Sequence, residues 1–456
     1  MKCPSGRQRA IELWYANESK QKAVSLVALP YLKTNEVFGI STEILQPSYV
    51  NRGDLDARIT RLLSRNYHIA LRGESKCGKS WLRQANIPDA IVVQCRLNKT
   101  PKDLYTDVLS QLGLNLVIEK GSGKAIKGSL EATQEFGVKL LAKLAAKQTI
   151  SLEANSSEKS KPVGRDLEDL RFVSEIINES GRRLVIEDFH YLSPEQRREF
   201  SFDLKALWDY GTYVVVIGIW SENNLLIHLN PDLAGRIEEV SIYWSSDDLK
   251  RVLDQGADAL QIDFPARVCS RLIEDSFGTV GILQRLALSY LDEAGVNGTN
   301  DRRVTVGDEE VYEGVAMAYA EQLNALYQTF AQRVANGIRQ RADSTGIYAH
   351  MLAVVMGATD KQLADGLSTD GIFKDASQRE SRIKRANLGS IMQKINGIQV
   401  DKDGRGLILS YDDSKDEVFV VDKHLFFYRK YATARWPWER VIQEAEEQGD
   451  TYTGRG

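Results

Sequence analysis

The chain has 456 residues, 43% apolar and 27% charged, with a formal net charge of −4. That length exceeds one ordinary hydrophobic core and predicts two or three domains. No run of about 18 apolar residues offers a membrane span, and the overall charge gives no general pull towards nucleic acid, so any such surface must be local. Cys3, Cys77, Cys95 and Cys269 lie far apart without C-x-x-C spacing, which predicts free thiols in a reducing compartment and neither zinc nor a disulfide framework. No apolar block follows the opening M-K-C-P-S-G-R-Q-R, so a cytoplasmic location is expected.

Residues 1–47 read as an N-terminal extension with one helical pattern near Arg9 to Leu26. A core over 48–245 follows. Y-V-N-R-G-D-L-D-A-R-I-T-R-L-L turns into a helix with Asp54 as N-cap and Leu55, Ile59, Leu62 and Leu63 on one face. Ile69-Ala70-Leu71 predicts a buried strand, and it empties into Gly73-Glu74-Ser75-Lys76-Cys77-Gly78-Lys79-Ser80, which fits G-x-x-x-x-G-K-S/T at every fixed position. Such a loop turns successive N–H groups inward around a phosphate at a helix N-terminus. Lys79 would reach the β- and γ-phosphates of a nucleoside triphosphate, and the Ser80 hydroxyl its Mg²⁺. Trp81 opens the helix-compatible W-L-R-Q-A.

A strand over I-V-V-Q-C-R-L and a helix from Lys102 to Leu112 extend the β-loop-α-β-α rhythm of a doubly wound α/β sheet. Residues 121–165 read as an insertion: a helix from Leu130 to Ala146, a short extended segment through Thr149 to Leu152, and a polar loop. It is a surface elaboration, a subunit contact or a membrane-touching helix, since amphipathicity alone does not choose. A helix from Leu167 to Ile177, a strand Arg183–Ile186 and a helix from Pro194 to Asp209 follow. The β-branched run Tyr213–Ile219 predicts a strand buried on both faces.

The strand Arg183–Ile186 runs into Glu187-Asp188, acids of the kind that hold magnesium through its waters and orient an attacking water. Glu187 suits the metal side and Asp188 the base side, and the roles can be exchanged. Ser221 or Asn223, past the next strand, suits a water or γ-phosphate contact. Arg236 is either a cation reaching a neighbour's γ-phosphate or an ordinary surface arginine.

Loop, paired acids, strand-tip polar group, Arg236 and the helical stretch beyond it resemble an AAA+ ATPase. More narrowly they resemble the branch of origin-recognition and replication-initiator proteins, TniB-type transposition regulators and STAND-like ATPases of prokaryotic defence. The resemblance spans about residues 40–295 and implies a P-loop sheet, a helical lid over 246–342, ATP and Mg²⁺. Y-V-N-R-x-x-L resembles the family's adenine-facing segment, which nominates Tyr49, Val50 and Arg52. I-E-D-F-H-Y-L resembles D-E-x-H-x-L with the acids exchanged, and His190 is then a nucleotide sensor or a structural histidine. The lid's G-x-x-R arginine is absent: Gly281 stands in its place, with Arg285 one turn later. The exchanged acids suit a slow, switch-like ATPase.

Residues 343–456 resemble a winged helix: helices at Ile347–Met356, after Thr359 or Asp360, and over Arg382–Ile395, then strands at Ile398–Val400, Leu407–Tyr411 and Glu417–Val421. Trp436-Pro437-Trp438 is expected to anchor the tail. Between Lys374 and Arg405, eight Lys/Arg stand against four acids. Arg382, Lys384, Arg385 and Lys394 form the candidate surface for DNA or a protein. The expected function is an ATP-dependent switch that forms a homo-oligomer with ATP at subunit boundaries and recruits an effector, as in antiviral defence. The alternative is a DNA-binding initiator or transposition regulator.

Overall fold

The computed structural model describes residues 30–52, 54–96, 98–119, 127–132, 134–154, 169–220, 223–337, 346–400, 406–413 and 415–443. The helix expected near Arg9, most of the polar tract after Ala154, and Ser221 lie outside them. The N-terminal half is a P-loop α/β fold built on a five-stranded parallel sheet of order β2-β5-β6-β1-β7: β1 His68–Gly73, β2 Ile91–Gln94, β5 Leu184–Glu187, β6 Val214–Gly218 and β7 Ile237–Ile242. Every residue of β5 and β6 is buried, as continuous apolar runs require when helices cover both faces. Helices α1 (Leu55–Leu63) and α2 (Lys79–Asn86) bury Ile59, Leu62 and Leu82 on one face. On the other, α3 (Pro101–Gln111), α5 (Leu170–Ser180) and α6 (Pro194–Asp209) bury Leu104, Ile176 and Leu204. Thr100 caps α3 through a capping box with Asp103, and Ser193 caps α6, so each helix starts where its donors find an acceptor.

The insertion differs from expectation. Leu114–Glu119 (β3) and Lys127–Ala132 (β4) pair as an antiparallel hairpin, and α4 runs from Glu135 to Ala154. Leu130 to Ala132 therefore belong to a strand and Thr149 to Leu152 to a helix. The run L-N-L-V-I-E finds its partner strand in Lys127–Ala132, and pairing between strands overrides local helix propensity.

Beyond α7 (Leu225–Leu229) and β7, α8 (Ser246–Leu260), α9 (Ala266–Asp275) and α10 (Val280–Glu293) form the lid, with β8 (Ile262–Asp263) paired to β9 (Val304–Thr305). The segment before the core packs on this lid: Val37, Phe38 and Val50 are buried with Leu253 and Leu286, and Gly39 N–H donates to Gln284. The 28-residue helix α11 (Glu309–Asn336) then carries one continuous core from the lid into the C-terminal module. Its Tyr312 ring lies 5.7 Å from Tyr290 of the lid, and its Tyr327 ring 4.7 Å from Tyr428.

The C-terminal module comprises α12 (Ile347–Gly357), α13 (Asp360–Asp365), β10 (Leu367–Ser368), α14 (Thr369–Arg379), α15 (Arg385–Gln399), β11 (Leu409–Asp412), β12 (Glu417–Val420) and α16 (His424–Tyr431). Its antiparallel sheet has the order β10-β12-β11. Two expectations fail here. The helix expected over Arg382–Ile395 starts at Arg385, because Glu380 binds both the backbone N–H and the guanidinium of Arg382 and turns the chain. Ile398 and Gln399 end that helix instead of forming a strand, and the Gln399 side chain accepts from Ile408 and Leu409 N–H.

Lid and module are fastened at Asp275, which is fully buried. Its carboxylate accepts from Tyr312 at 2.7 Å, Tyr431 at 2.6 Å and Lys430 at 2.6 Å. Asp275→Ala leaves a lysine and two phenols without their acceptor and is expected to destabilise by about 3 kcal/mol, as removing one side of a buried charged network does. Urea unfolding followed by tyrosine fluorescence checks this.

Candidate nucleotide site

The loop from Gly73 to Ser80 joins the end of β1 to α2 at the carboxyl edge of the sheet. Gly78 sits at φ +86°, where only glycine is relaxed. Lys76 also lies in the left-handed region, at φ +57°. The Lys79 ammonium donates to the Gly73 carbonyl at 3.0 Å and to that of Glu74, and lies 3.7 Å from Cys77 Sγ.

Strand β5 is separated from β1 by β6 and delivers Glu187 and Asp188 to the same edge. Arg83, one turn after Lys79 on α2, donates from Nε to Glu187 Oε1 at 3.1 Å, which ties the loop helix directly to the acid-bearing strand. The two acids thus differ. Glu187 is 7% exposed and paired with Arg83. Asp188, at φ +58°, is pushed up in pKa by burial and by Glu187 and pulled back by Lys79. Burial, then Lys79 and Arg197, push His190 down to about 3, so its ring, packed 4.3 Å from Tyr191, is uncharged at neutral pH.

Other expected residues lie elsewhere. Asn223 accepts from Arg72 Nη2 at 2.5 Å, and Arg72 also pairs with Glu239, which takes the Trp220 indole N–H and Asn224 N–H. The strand-tip loop is therefore held by the loop strand itself. Arg236 precedes β7 at the opposite edge of the sheet, packed over Trp208 at 4.9 Å with Nη1 donating to the Asp232 carbonyl, so it does not face its own chain's loop. Arg285 reaches Gln322 and Tyr319 on α11 and does not replace the missing lid arginine. On the far module, Arg382 and Lys384 precede α15, Arg382 paired with Glu380 and Arg385 with Asp370 and Asp416. Lys384 and Lys394 are exposed.

Tyr49, Val50, Arg52 and Trp81 do converge, facing Trp244 and Val280 across a cavity of about 20 Å³ beside Gly78. Tyr49 donates to Asp56 at 3.1 Å. Trp244, between β7 and the lid, donates from its indole to the Cys77 carbonyl at 2.8 Å.

Lid and C-terminal module both touch the loop. Gly281 N–H donates to the Lys76 carbonyl at 3.1 Å, and a Cβ there would lie 2.6 Å from Lys76 Cβ. This explains a glycine where the resemblance expects an arginine. Lys423 pairs with Glu74 at 2.7 Å. His424, its Nδ1 on Asp422 at 2.9 Å, presents Nε2 to the Lys76 ammonium at 3.3 Å. Asp422 also accepts from Tyr327 of α11 at 3.0 Å. Sequence reasoning missed Arg83, Arg72, Trp244, Lys423 and His424. Only Arg83 carried a local signal, its four-residue spacing from Lys79.

No known family profile and no curated protein matches this chain. Among solved structures it is similar to a Walker-type ATPase of Pyrococcus abyssi (16% identity, 84% of this chain and 96% of that one, TM-score 0.42). It is also similar to the Aeropyrum pernix ORC1 protein in complex with DNA (11%, 91% and 100%, 0.41). A STAND protein with a tetratricopeptide repeat sensor from Pyrococcus horikoshii aligns at 12% identity over 89% of this chain and 45% of that one, with a TM-score of 0.33.

Arg83→Ala strands a buried carboxylate and is expected to cost about 3 kcal/mol, an effect that Glu187→Gln in the same chain should reduce in a double-mutant cycle. His190 has a folded pKa below its unfolded value, so the stability tied to its neutral ring is complete above about pH 6.5. It is lost as the pH falls towards 3. Its imidazole NMR shifts should accordingly stay flat from pH 7 to 5.

Proposed function

We propose that this chain is a slow ATPase acting as a switch, which binds ATP and Mg²⁺ at the loop and passes the loop's state through its lid and C-terminal module to a partner protein. The observation that carries this reading is the set of contacts on the loop itself: Glu74 on Lys423, Lys76 on His424, and the Lys76 carbonyl on Gly281. A γ-phosphate drawing Lys79 off the Gly73 and Glu74 carbonyls rearranges the segment that those contacts hold. Nucleotide then shifts the position of the module by its differential affinity for the two arrangements.

Ser80, Glu187 and Asp188 would hold the magnesium. They offer hard oxygens, and this ion takes one or two carboxylates beside substrate phosphates in place of an all-protein cage. Among the described residues no group of three or more His, Cys, Asp or Glu forms such a cage. Bound there, the metal neutralises charge on the β- and γ-phosphates. Asp188 faces Lys79 and is the acid best placed to orient water. Glu187 is held in position by Arg83. Arg236, remote from its own loop, would serve a neighbouring subunit, which makes the active form an oligomer. Antiphage defence suits a switch of this design.

The C-terminal helices and three-stranded sheet have a winged-helix-like order, so a DNA-binding regulator is the second reading. The acid partners of Arg382 and Arg385 weigh against it, because those charges are already neutralised.

Light scattering with and without a slowly hydrolysed ATP analogue tests the switch. The wild-type particle should grow with nucleotide, and Lys79→Ala should neither grow nor turn over ATP. A wild-type mass indifferent to saturating nucleotide would overturn the reading. Lys423→Glu, which puts repulsion in place of the bond to Glu74, should lower the nucleotide concentration needed for assembly several-fold.

A further inference from the structure

Around the cavity beside Gly78, two part-buried side chains have buried polar atoms that lack the partners they would be expected to have. The Arg52 guanidinium lies over the Trp244 ring at 4.2 Å, a cation stacked on an indole face. Its Nε and Nη1 are nevertheless buried without hydrogen-bond partners, and so is Oδ2 of Asp56. Donor and acceptor are close enough for Asp56 to act electrostatically on Arg52, as Asp248 does, yet no hydrogen bond joins them. Burial pushes the guanidinium pKa down, so the cation is less comfortable there than in water. The remaining cavity, about 20 Å³, admits a water molecule but no purine.

Trp244 itself is fixed. Its indole N–H is bonded to the Cys77 carbonyl, and its ring passes 3.8 Å from where a Cβ on Gly78 would lie. It thus presents a flat apolar face beside the phosphate loop, in the cavity that Tyr49 and Val50 also line.

We infer that Trp244 is the stacking platform for the nucleotide base and that Arg52 is a displaceable plug occupying that platform, with Asp56 Oδ2 as the acceptor that receives the guanidinium when the base enters. This rests on the nucleotide-binding reading above. Displacement trades one stack for another, and it gives three orphaned polar atoms a way to pair. The plug makes the binding-competent state a minor one, which weakens the apparent affinity by the fraction in which Arg52 is swung away. Trp244 also lies between β7 and the first lid helix, so base stacking bears directly on the link between sheet and lid.

The test compares ATP with tripolyphosphate, which has the phosphates and no base, by titration calorimetry on the full chain. Arg52→Ala should bind ATP about tenfold more tightly and tripolyphosphate unchanged. Asp56→Asn should weaken ATP several-fold, and that loss should vanish in the Arg52→Ala background, because the acceptor matters only while the plug exists. Trp244→Phe should reduce the nucleotide-induced change in tryptophan emission, leaving only the part that Trp81 reports. Weaker ATP binding by Arg52→Ala makes Arg52 a direct ligand and overturns the inference. An equal effect on tripolyphosphate, or an Asp56→Asn loss that persists without Arg52, overturns it as well. If Arg52→Ala melts early, Arg52→Lys, which stacks less well, carries the same expected sign. A wild-type chain that binds no ATP instead defeats the nucleotide reading itself.

Discussion

Everything downstream of the nucleotide site depends on who holds the carbonyls and side chains of eight loop residues. A phosphate loop is a short stretch of backbone with unfavourable angles, kept in place by whatever surrounds it. Here the surroundings are unusually varied in origin. Lys79 comes from the loop's own helix, Gly281 from the lid, Lys423 and His424 from the C-terminal module, and Trp244 from the link between β7 and the lid. The loop is thereby in contact with several different parts of the chain at once. The Asp275 network ties two of those neighbours together, since the lid and α16 share its carboxylate.

The loop and the strand-end acids were legible in the sequence because their chemistry is written locally. A glycine at a left-handed angle, a lysine and a hydroxyl at fixed spacing leave little room for another arrangement, and Glu187 and Asp188 end an unbroken apolar run. What escaped was tertiary. Lys76 and His424 lie 348 residues apart, and nothing around either residue announces the other. The module's helices were misplaced for a different reason: Ile383, Leu388, Ile391 and Ile395 are spaced well enough to suggest one helix from Arg382, but Glu380 captures Arg382 first. The basic run there looked like a free surface because a sequence counts charges without showing that Asp370 and Asp416 stand opposite Arg385.

The difference between Glu187 and Asp188 also illustrates how two adjacent acids acquire separate tasks. One sits within reach of a cation on the loop helix and is fixed by it. The other has a left-handed backbone of its own and feels Lys79 electrostatically, while burial and its neighbour disfavour its charge. Geometry, rather than the identity of the acid, separates them.

The long helix α11 has a mechanical implication. At 28 residues it measures about 42 Å, and it is gripped near its start by Tyr290 and near its other end by the Gln399 carbonyl through Arg333. A rod of that span acts as a pointer. Over that span a rotation of about 10° at one end corresponds to a displacement of about 7 Å at the other, so a small change of angle at the lid is a large change of position at the far end of the rod.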